Sequence, residues 1–279
     1  MAHIPLKENI KTHMKTLRIL LSLASIILSI PAQAHEFWID AAPYAFPPNS
    51  SVTAELRNGQ MFSGMKLPYL PNTTARFELH HAGETFTYSG RIGDFPAFQS
   101  DGFADGLVTV VHETRPSTIT YTTLEKFRSF VQEKGRPDIL DQHRDRGLSV
   151  ETFKEDYTRH AKALIAVGSG AGEDVTFGLK TEFTAITNPY DKQFTGRMTV
   201  ELRLDGALQV QAVVTVFDKN DQGDVTRSQV RTNDDGQVHI DLSPGHQYLL
   251  DSVAFAPAPD GSEAVWETYW AALTFAAPE

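Results

Sequence analysis

The chain has 279 residues, no cysteine and a formal net charge of −10, with 25 Lys and Arg against 35 Asp and Glu. The acidic balance excludes a nucleic-acid or anionic-lipid surface, which needs clustered cations. The lack of cysteine excludes disulfides, thiolate metal sites and cysteine nucleophiles, so burial alone must hold the fold.

From Met14 the chain reads MKTLRILLSLASIILSIPAQA. Lys15 and Arg18 give a basic start, Ile19 to Ile30 form an apolar run broken by serines, and Ala32-Gln33-Ala34 is a small-x-small ending. This layout predicts a secretory signal over residues 1–34, with Met14 as the true start and cleavage before His35. The apolar core is too short for a comfortable membrane span, and no later stretch approaches spanning length. The expected product is a soluble periplasmic protein that begins at His35, with no membrane anchor after cleavage.

Residues 35–187 predict an N-terminal β domain. SVTAELRNG alternates Val52, Ala54 and Leu56 against polar neighbours and ends at Asn58-Gly59. RFELHHAGETFTYSG predicts a hairpin in which Phe86 and Tyr88 answer Phe77 and Leu79, and GLVTVVHE is apolar on both faces, as in a central strand. Residues 122–166 predict a helical insertion. TTLEKFRSFVQEKG opens with Thr122-x-x-Glu125, a capping signature, and stops at Gly135. RPDILDQHRDRG is a short helix or turn. SVETFKEDYTRHAKALIAVG places Phe153, Tyr157, Ala161 and Leu164 on one helical stripe and stops at Gly168.

Beyond the Asn188-Pro189 joint, strands resume in RMTVELRLDG, LQVQAVVTVFD, VTRSQVRTNDDGQVHIDL, HQYLLDSVAF and YWAALTF. Strands at this density predict a small Ig-like β-sandwich over residues 188–279. The fold class expected is therefore mainly β, with two β-sandwich-like domains, the first carrying a small α-helical insertion.

AHEFWID, DYTRHAKALIAVG, NPYDKQFTG, TNDDGQVHIDL and YWAALTF occur in that order across nearly the whole of the chain. Together they resemble the exported proteins grouped as domain of unknown function 4198, a nickel-uptake-associated periplasmic family. The C-terminal part separately looks like the carboxypeptidase-regulatory type of sandwich. The resemblance implies a periplasmic, two-domain β protein linked to transition-metal uptake. Relatives usually have Tyr where this chain has His160, so that residue is not carried over as a family ligand.

Cleavage before His35 would give one residue both a free α-amine and an imidazole, which can chelate one ion through the amine and Nδ1. Imidazole suits nickel, copper and zinc, and an amine titrating near about 7.7–8.0 yields its proton cheaply at neutral pH. Two donors do not complete a site. His112 and His160 on apolar faces and the Asp40 carboxylate are the candidate partners of His35, for a divalent Ni, Co, Cu or Zn ion. The ordinary reading, which the pattern favours, is a hydrogen-bonded core histidine for His112 and a packed one for His160. Glu36 points away from His35 if the segment is extended. His81 is expected at the surface and His143 in solvent. No HExxH or HxH spacing joins any pair of histidines. AVGSGAGED lacks the spacing of a nucleotide-binding loop, and there is no GxSxG elbow.

The leading expectation is a non-enzymatic periplasmic metal-binding accessory protein of a nickel/cobalt-type uptake system, whose partners are a metal ion and a membrane metal-transporter component. Two other readings stand beside it: an envelope module recognising glycan or protein, and an oxidative copper enzyme built on His35.

Overall fold

The structure, a computed structural model, describes residues 35–279. The expected signal segment 1–34 lies outside the described residues. Strands β1 (Glu36–Asp40), β2 (Ala45–Phe46), β3 (Thr53–Gln60) and β4 (Ser63–Leu67) come first. Next come β5 (Thr74–His81), β6 (Glu84–Thr87), β7 (Phe98–Gln99), β8 (Gly106–Thr114) and β9 (Ser117–Tyr121). Helices α1 (Leu124–Glu133) and α2 (Asp138–Asp145) precede β10 (Phe153–Val167) and β11 (Thr181–Ala185). The remainder is β12 (Arg197–Leu204), β13 (Ala207–Leu208), β14 (Val213–Lys219) and β15 (Val225–Arg231). Last are β16 (Gln237–Asp241), β17 (Gln247–Pro257) and β18 (Trp266–Ala276). The mainly β, sandwich-like class expected from the sequence is what the chain adopts.

A large sheet in the order β15-β14-β17-β18-β10-β8-β5-β6, with β2 and β9 also paired to β10, forms the middle layer. Period-two alternation divides its side chains between two cores. On one face Ala161, Ala163, Ile165, Val108 and Val110 pack with Phe37, Ile39 and Leu56 of the β1-β3-β4 sheet. On the other, Leu164, Val214, Val216, Leu250 and Leu273 pack with Phe183, Met198 and Val200 of the β11-β12-β13 sheet. A third cluster lies beneath the helices, where the Phe130 ring stacks on Trp270 with centroids 5.5 Å apart.

Several elements match their local signals. The β5–β6 hairpin turns through Ala82 (φ 52°) and Gly83 (φ 81°), the two positive values a tight primed turn needs. Helix α1 buries Phe127, Phe130 and Val131 and ends before Gly135, whose φ of 69° reverses the chain. A Cβ there would also come within 3.0 Å of the Val213 side chain. The Thr122 capping signature is not used: the N-cap is Thr123, with no side-chain hydrogen bond to the helix.

Two expectations are corrected. The helical insertion stops at α2, because residues 153–167 form a strand rather than a helix. Their second half is buried on both faces and runs nearly unbroken in apolar residues, a pattern that periodicity cannot separate from a buried helix. The division at Asn188-Pro189 also does not hold as a boundary. Residues 35–279 lie within one compact unit, and β10 from before the joint pairs in parallel with β18 from after it, Glu155–Ala163 against Trp266–Thr274.

The joint itself is a tie. Asn188 Nδ2 donates to the carbonyls of Gly170 and Gly172 at 2.8 and 2.9 Å. The Tyr190 hydroxyl donates to Leu164 O at 2.9 Å and accepts from Ala276 N at 3.2 Å, joining β10 to β18. Among the described residues no helix is long and apolar enough to cross a membrane.

Residues 188–279 expressed alone would expose the β18 edge that β10 covers, and would lack β11. We expect that fragment to show no dispersed amide spectrum by proton NMR, whereas residues 35–279 do.

Candidate functional site

β1 is an edge strand of its sheet, and its unpaired edge lies against β10 and β18. Its free carbonyls find side-chain donors there. Thr274 Oγ1 donates to Ile39 O at 2.6 Å, and Arg159 Nη2 donates to His35 O at 3.2 Å. All five β1 residues are buried, and His35 just before them is half-buried.

The side of β1 that carries Glu36 meets a buried cluster of charges. Lys134, the residue that caps α1, reaches Glu36 Oε1 at 2.6 Å and Asp251 Oδ2 at 3.0 Å. Its ammonium also sits 4.6 Å from the Trp270 ring centroid. One cation thus joins the first strand, the helical excursion and β17. Burial pulls the Lys134 pKa down, but the Asp251 and Glu36 carboxylates outweigh it and hold the group above its ordinary value. Burial raises Asp251, against the lowering effect of Lys134. Arg159 stands nearby as a second cation, its guanidinium 4.6 Å from the Tyr157 ring centroid. Nothing in the sequence marked Lys134 or Arg159 out, because their partners are remote in the chain.

The four residues nominated as one metal site do not converge. Asp40 ends β1, about 17 Å from His35 at the usual rise of an extended strand. Its carboxylate is engaged by Arg57 Nε at 2.7 Å and the Ala42 amide at 3.1 Å. His112 and His160 lie on opposite faces of the large sheet. His112 packs between Phe37 and Phe77, with ring centroids 5.3 and 5.0 Å away. Its Nε2 is 3.0 Å from Thr74 Oγ1, and that hydroxyl donates to Leu70 O. Nε2–H is therefore the donor to Thr74, and Nδ1 is left without a partner.

His160 belongs to the face that carries Leu164. Its Nδ1 is 3.1 Å from Trp270 O, so Nδ1–H donates to that carbonyl. Its Nε2 lies 3.7 Å from Glu113 Oε1 and has no hydrogen-bond partner. Burial depresses the pKa of His112 to about 3 and that of His160 to about 4, so both are neutral at pH 7. Among the described residues no three His, Asp or Glu side chains are grouped so as to hold a metal ion. Glu36 is turned away from His35 into its ion pair, as an extended segment requires.

Other histidines correct their expectations. His81 is buried, with Nδ1 3.0 Å from Leu107 O. His143 is also buried: it accepts from Trp266 Nε1 at 3.0 Å and donates through Nε2 to Ser149 O at 2.9 Å. Two further buried polar clusters involve β10. Lys162 holds Asp174 and Glu182 at 3.1 and 3.0 Å, and Glu155 accepts hydrogen bonds from Tyr121 and Thr268. Burial raises the Glu155 carboxyl to about 7, against the lowering effect of those two hydrogen bonds.

Residues 32–254 match the family described as "Domain of unknown function (DUF4198)", and the chain belongs to that family. No curated protein matches it. Among solved structures, it aligns with a tetra-tandem repeat from the extending region of a large adhesion protein at 12% identity and a TM-score of 0.19. That alignment covers 86% of this chain and 49% of the other. It also aligns with Escherichia coli alpha-2-macroglobulin activated by porcine elastase, at 9% identity and a TM-score of 0.23, covering 88% of this chain and 20% of that one. The chain spans about half the length of the adhesion-protein structure. At these scores neither alignment carries an argument about fold or function.

Replacing Lys134 by Met would leave two buried carboxylates facing each other without their cation. We expect a loss of roughly 3–5 kcal/mol in urea unfolding, the usual cost of removing one partner from a buried ion pair. Glu155 gives a separate, pH-dependent outcome. Its carboxyl is raised to about 7 in the folded chain from an ordinary 4.5, so its stabilising contribution is complete below 4.5 and is lost as pH rises through 7. His112 and His160, with depressed values, act in the opposite sense and lose their contribution as pH falls below 6.5. The difference between the natural chain and its Glu155→Gln variant isolates the carboxyl. That difference should shift by up to roughly 3 kcal/mol in favour of the variant between pH 4.5 and 8.

Proposed function

We propose that this is a periplasmic, non-enzymatic transition-metal-binding accessory protein, exported and cleaved before His35, which captures a divalent ion for a nickel/cobalt-type membrane uptake system. The observation that carries this reading is the placement of His35. It stands half-exposed at the head of a wholly buried strand, its carbonyl held by Arg159, so the backbone that leads to it is fixed. A free amine and imidazole at that point form a chelate whose backbone arm is already ordered, which lowers the entropic cost of binding. Imidazole and amine nitrogen favour Ni(II), Cu(II), Co(II) or Zn(II) over harder ions. Asp40 and His160 are not part of this chelate, and His112 lies beneath Phe37.

A second reading, an envelope module that recognises glycan or protein, is favoured by a cleft of about 430 Å³ between the α1–α2 turn and the C-terminal strands. Arg136, Asp138, Arg231 and Phe255 line it: Arg136 is held by both oxygens of Asp138 at 2.9 and 2.8 Å with its guanidinium 5.7 Å from the Phe255 ring, and Arg231 Nη1 donates to Gln211 O, so the polar wall is pre-ordered for a small polar ligand.

Titration calorimetry with Cu(II) or Ni(II) at neutral pH separates the two. Protein that begins at His35 should bind more tightly than protein with one residue added before it, because the extension turns the amine into an amide. His35→Ala should also weaken binding, since it deletes the imidazole and keeps the amine. Equal affinity in all three proteins would reject the chelate at His35, and no binding in any of them would leave the envelope-module reading in the lead.

A further inference from the structure

On the sheet face opposite His112, two acceptors, His160 Nε2 and Glu113 Oε1, lie 3.7 Å apart. His160 is 2% exposed, and its Nδ1–H is committed to Trp270 O, so Nε2 presents a lone pair. That atom is buried and unpartnered. Glu113 Oε1 faces it at 3.7 Å, and this carboxylate takes no hydrogen bond from any described residue. Arg76 stands opposite Glu113 on β5, but its guanidinium is held by both oxygens of Glu78 and by Phe177 O. Lys180, another cation on this side, is 2.8 Å from Asp205, and Lys162, two residues beyond His160 on the same face of β10, is held by Asp174 and Glu182.

A separation of 3.7 Å is too long for a direct charge-assisted hydrogen bond, which measures about 2.7–2.9 Å. A bridging water, with bonds of about 2.8–2.9 Å, would have to subtend only about 80° between them. Two metal–ligand bonds of about 2.0–2.1 Å span the same gap at about 130°, an open angle that a four-coordinate ion tolerates. The back of the imidazole is oriented as ligating histidines usually are, with the remote N–H on a backbone carbonyl.

We propose that His160 Nε2 and Glu113 form a second, open site for a divalent first-row transition ion, separate from the His35 chelate and independent of it. The side chain of Glu113 is 21% exposed whereas that of His160 is fully enclosed, so the ion enters from the Glu113 side and keeps water on its remaining positions. With two protein donors the site is exchangeable, which suits transfer of an ion rather than its permanent retention. A neutral histidine is also ready to bind without displacing a proton.

The test uses residues 35–279 carrying His35→Ala, so that the first chelate is removed. Zn(II) is titrated by calorimetry while the histidine ring nitrogens are followed by long-range ¹H–¹⁵N NMR. One equivalent should bind, with the His160 Nε2 resonance moving and the other imidazoles unchanged. Adding Glu113→Gln, which nearly preserves shape at a position without hydrogen bonds, should weaken Zn(II) by at least about tenfold. Its melting temperature should stay that of the parent, which separates a lost ligand from a lost fold. Unchanged Zn(II) affinity on adding Glu113→Gln, a static His160 Nε2 resonance, or no binding at all in the His35→Ala protein would each overturn the site. If His35→Ala costs no affinity while Glu113→Gln does, the chelate at His35 fails and this site stands.

Discussion

The parallel pairing of β10 with β18 is the constraint from which the rest follows. It brings together strands separated by a hundred residues and makes the large sheet continuous, and both of its faces must then be covered. The β1-β3-β4 sheet covers one face and the β11-β12-β13 sheet the other. That single register also decides which titratable groups can meet. His112 joins the face under β1, and His160 and Glu113 join the other, so no motion short of breaking the sheet can bring the two histidines to one ion.

Buried charges reinforce this arrangement at two points. Lys134 and Lys162 each hold a pair of carboxylates: Glu36 with Asp251, from segments remote in the chain, and Asp174 with Glu182, from the one segment that follows β10. Such clusters contribute little net stability over well-packed apolar residues, yet they strongly disfavour any arrangement that leaves a member unpaired. With no disulfide to staple the chain, they fix where the helical excursion and the 174–182 loop dock. The apolar clusters supply most of the free energy of the compact state, and the ammonium-centred pairs select one docking geometry.

The motifs that carry the family likeness take on a structural meaning in this light. AHEFWID is β1 and its buried Glu36, DYTRHAKALIAVG is most of β10, and YWAALTF is most of β18. NPYDKQFTG supplies the Asn188 and Tyr190 bonds that lock the C-terminal ends of those two strands. In TNDDGQVHIDL, Asn233 Oδ1 accepts from the amides of Asp235 and Gln237 and so shapes the turn into β16. Four of these five segments meet at or beside the β10–β18 seam, the place where the architecture would otherwise come apart.

The sequence by itself determined the elements whose signals are local. The β5–β6 hairpin, the α1 stripe with its stop at Gly135, and the both-faces-apolar β8 follow from period, turn chemistry and backbone geometry within a few residues. It also placed His112 on the side of Val108 and Val110, because alternation along one strand needs no partner. Only the tertiary structure decided that Phe153–Val167 is a strand, since burial on both faces erases the periodicity that separates strand from helix. Only the tertiary structure showed that Asn188-Pro189 ties two strands rather than dividing two domains, and that Glu113 faces His160 while Asp40 is held by Arg57. The physical reason is the same in each case. A ladder between strands remote in sequence leaves no trace in either strand alone, and the neighbours that give a charged side chain its role arrive only when that ladder forms.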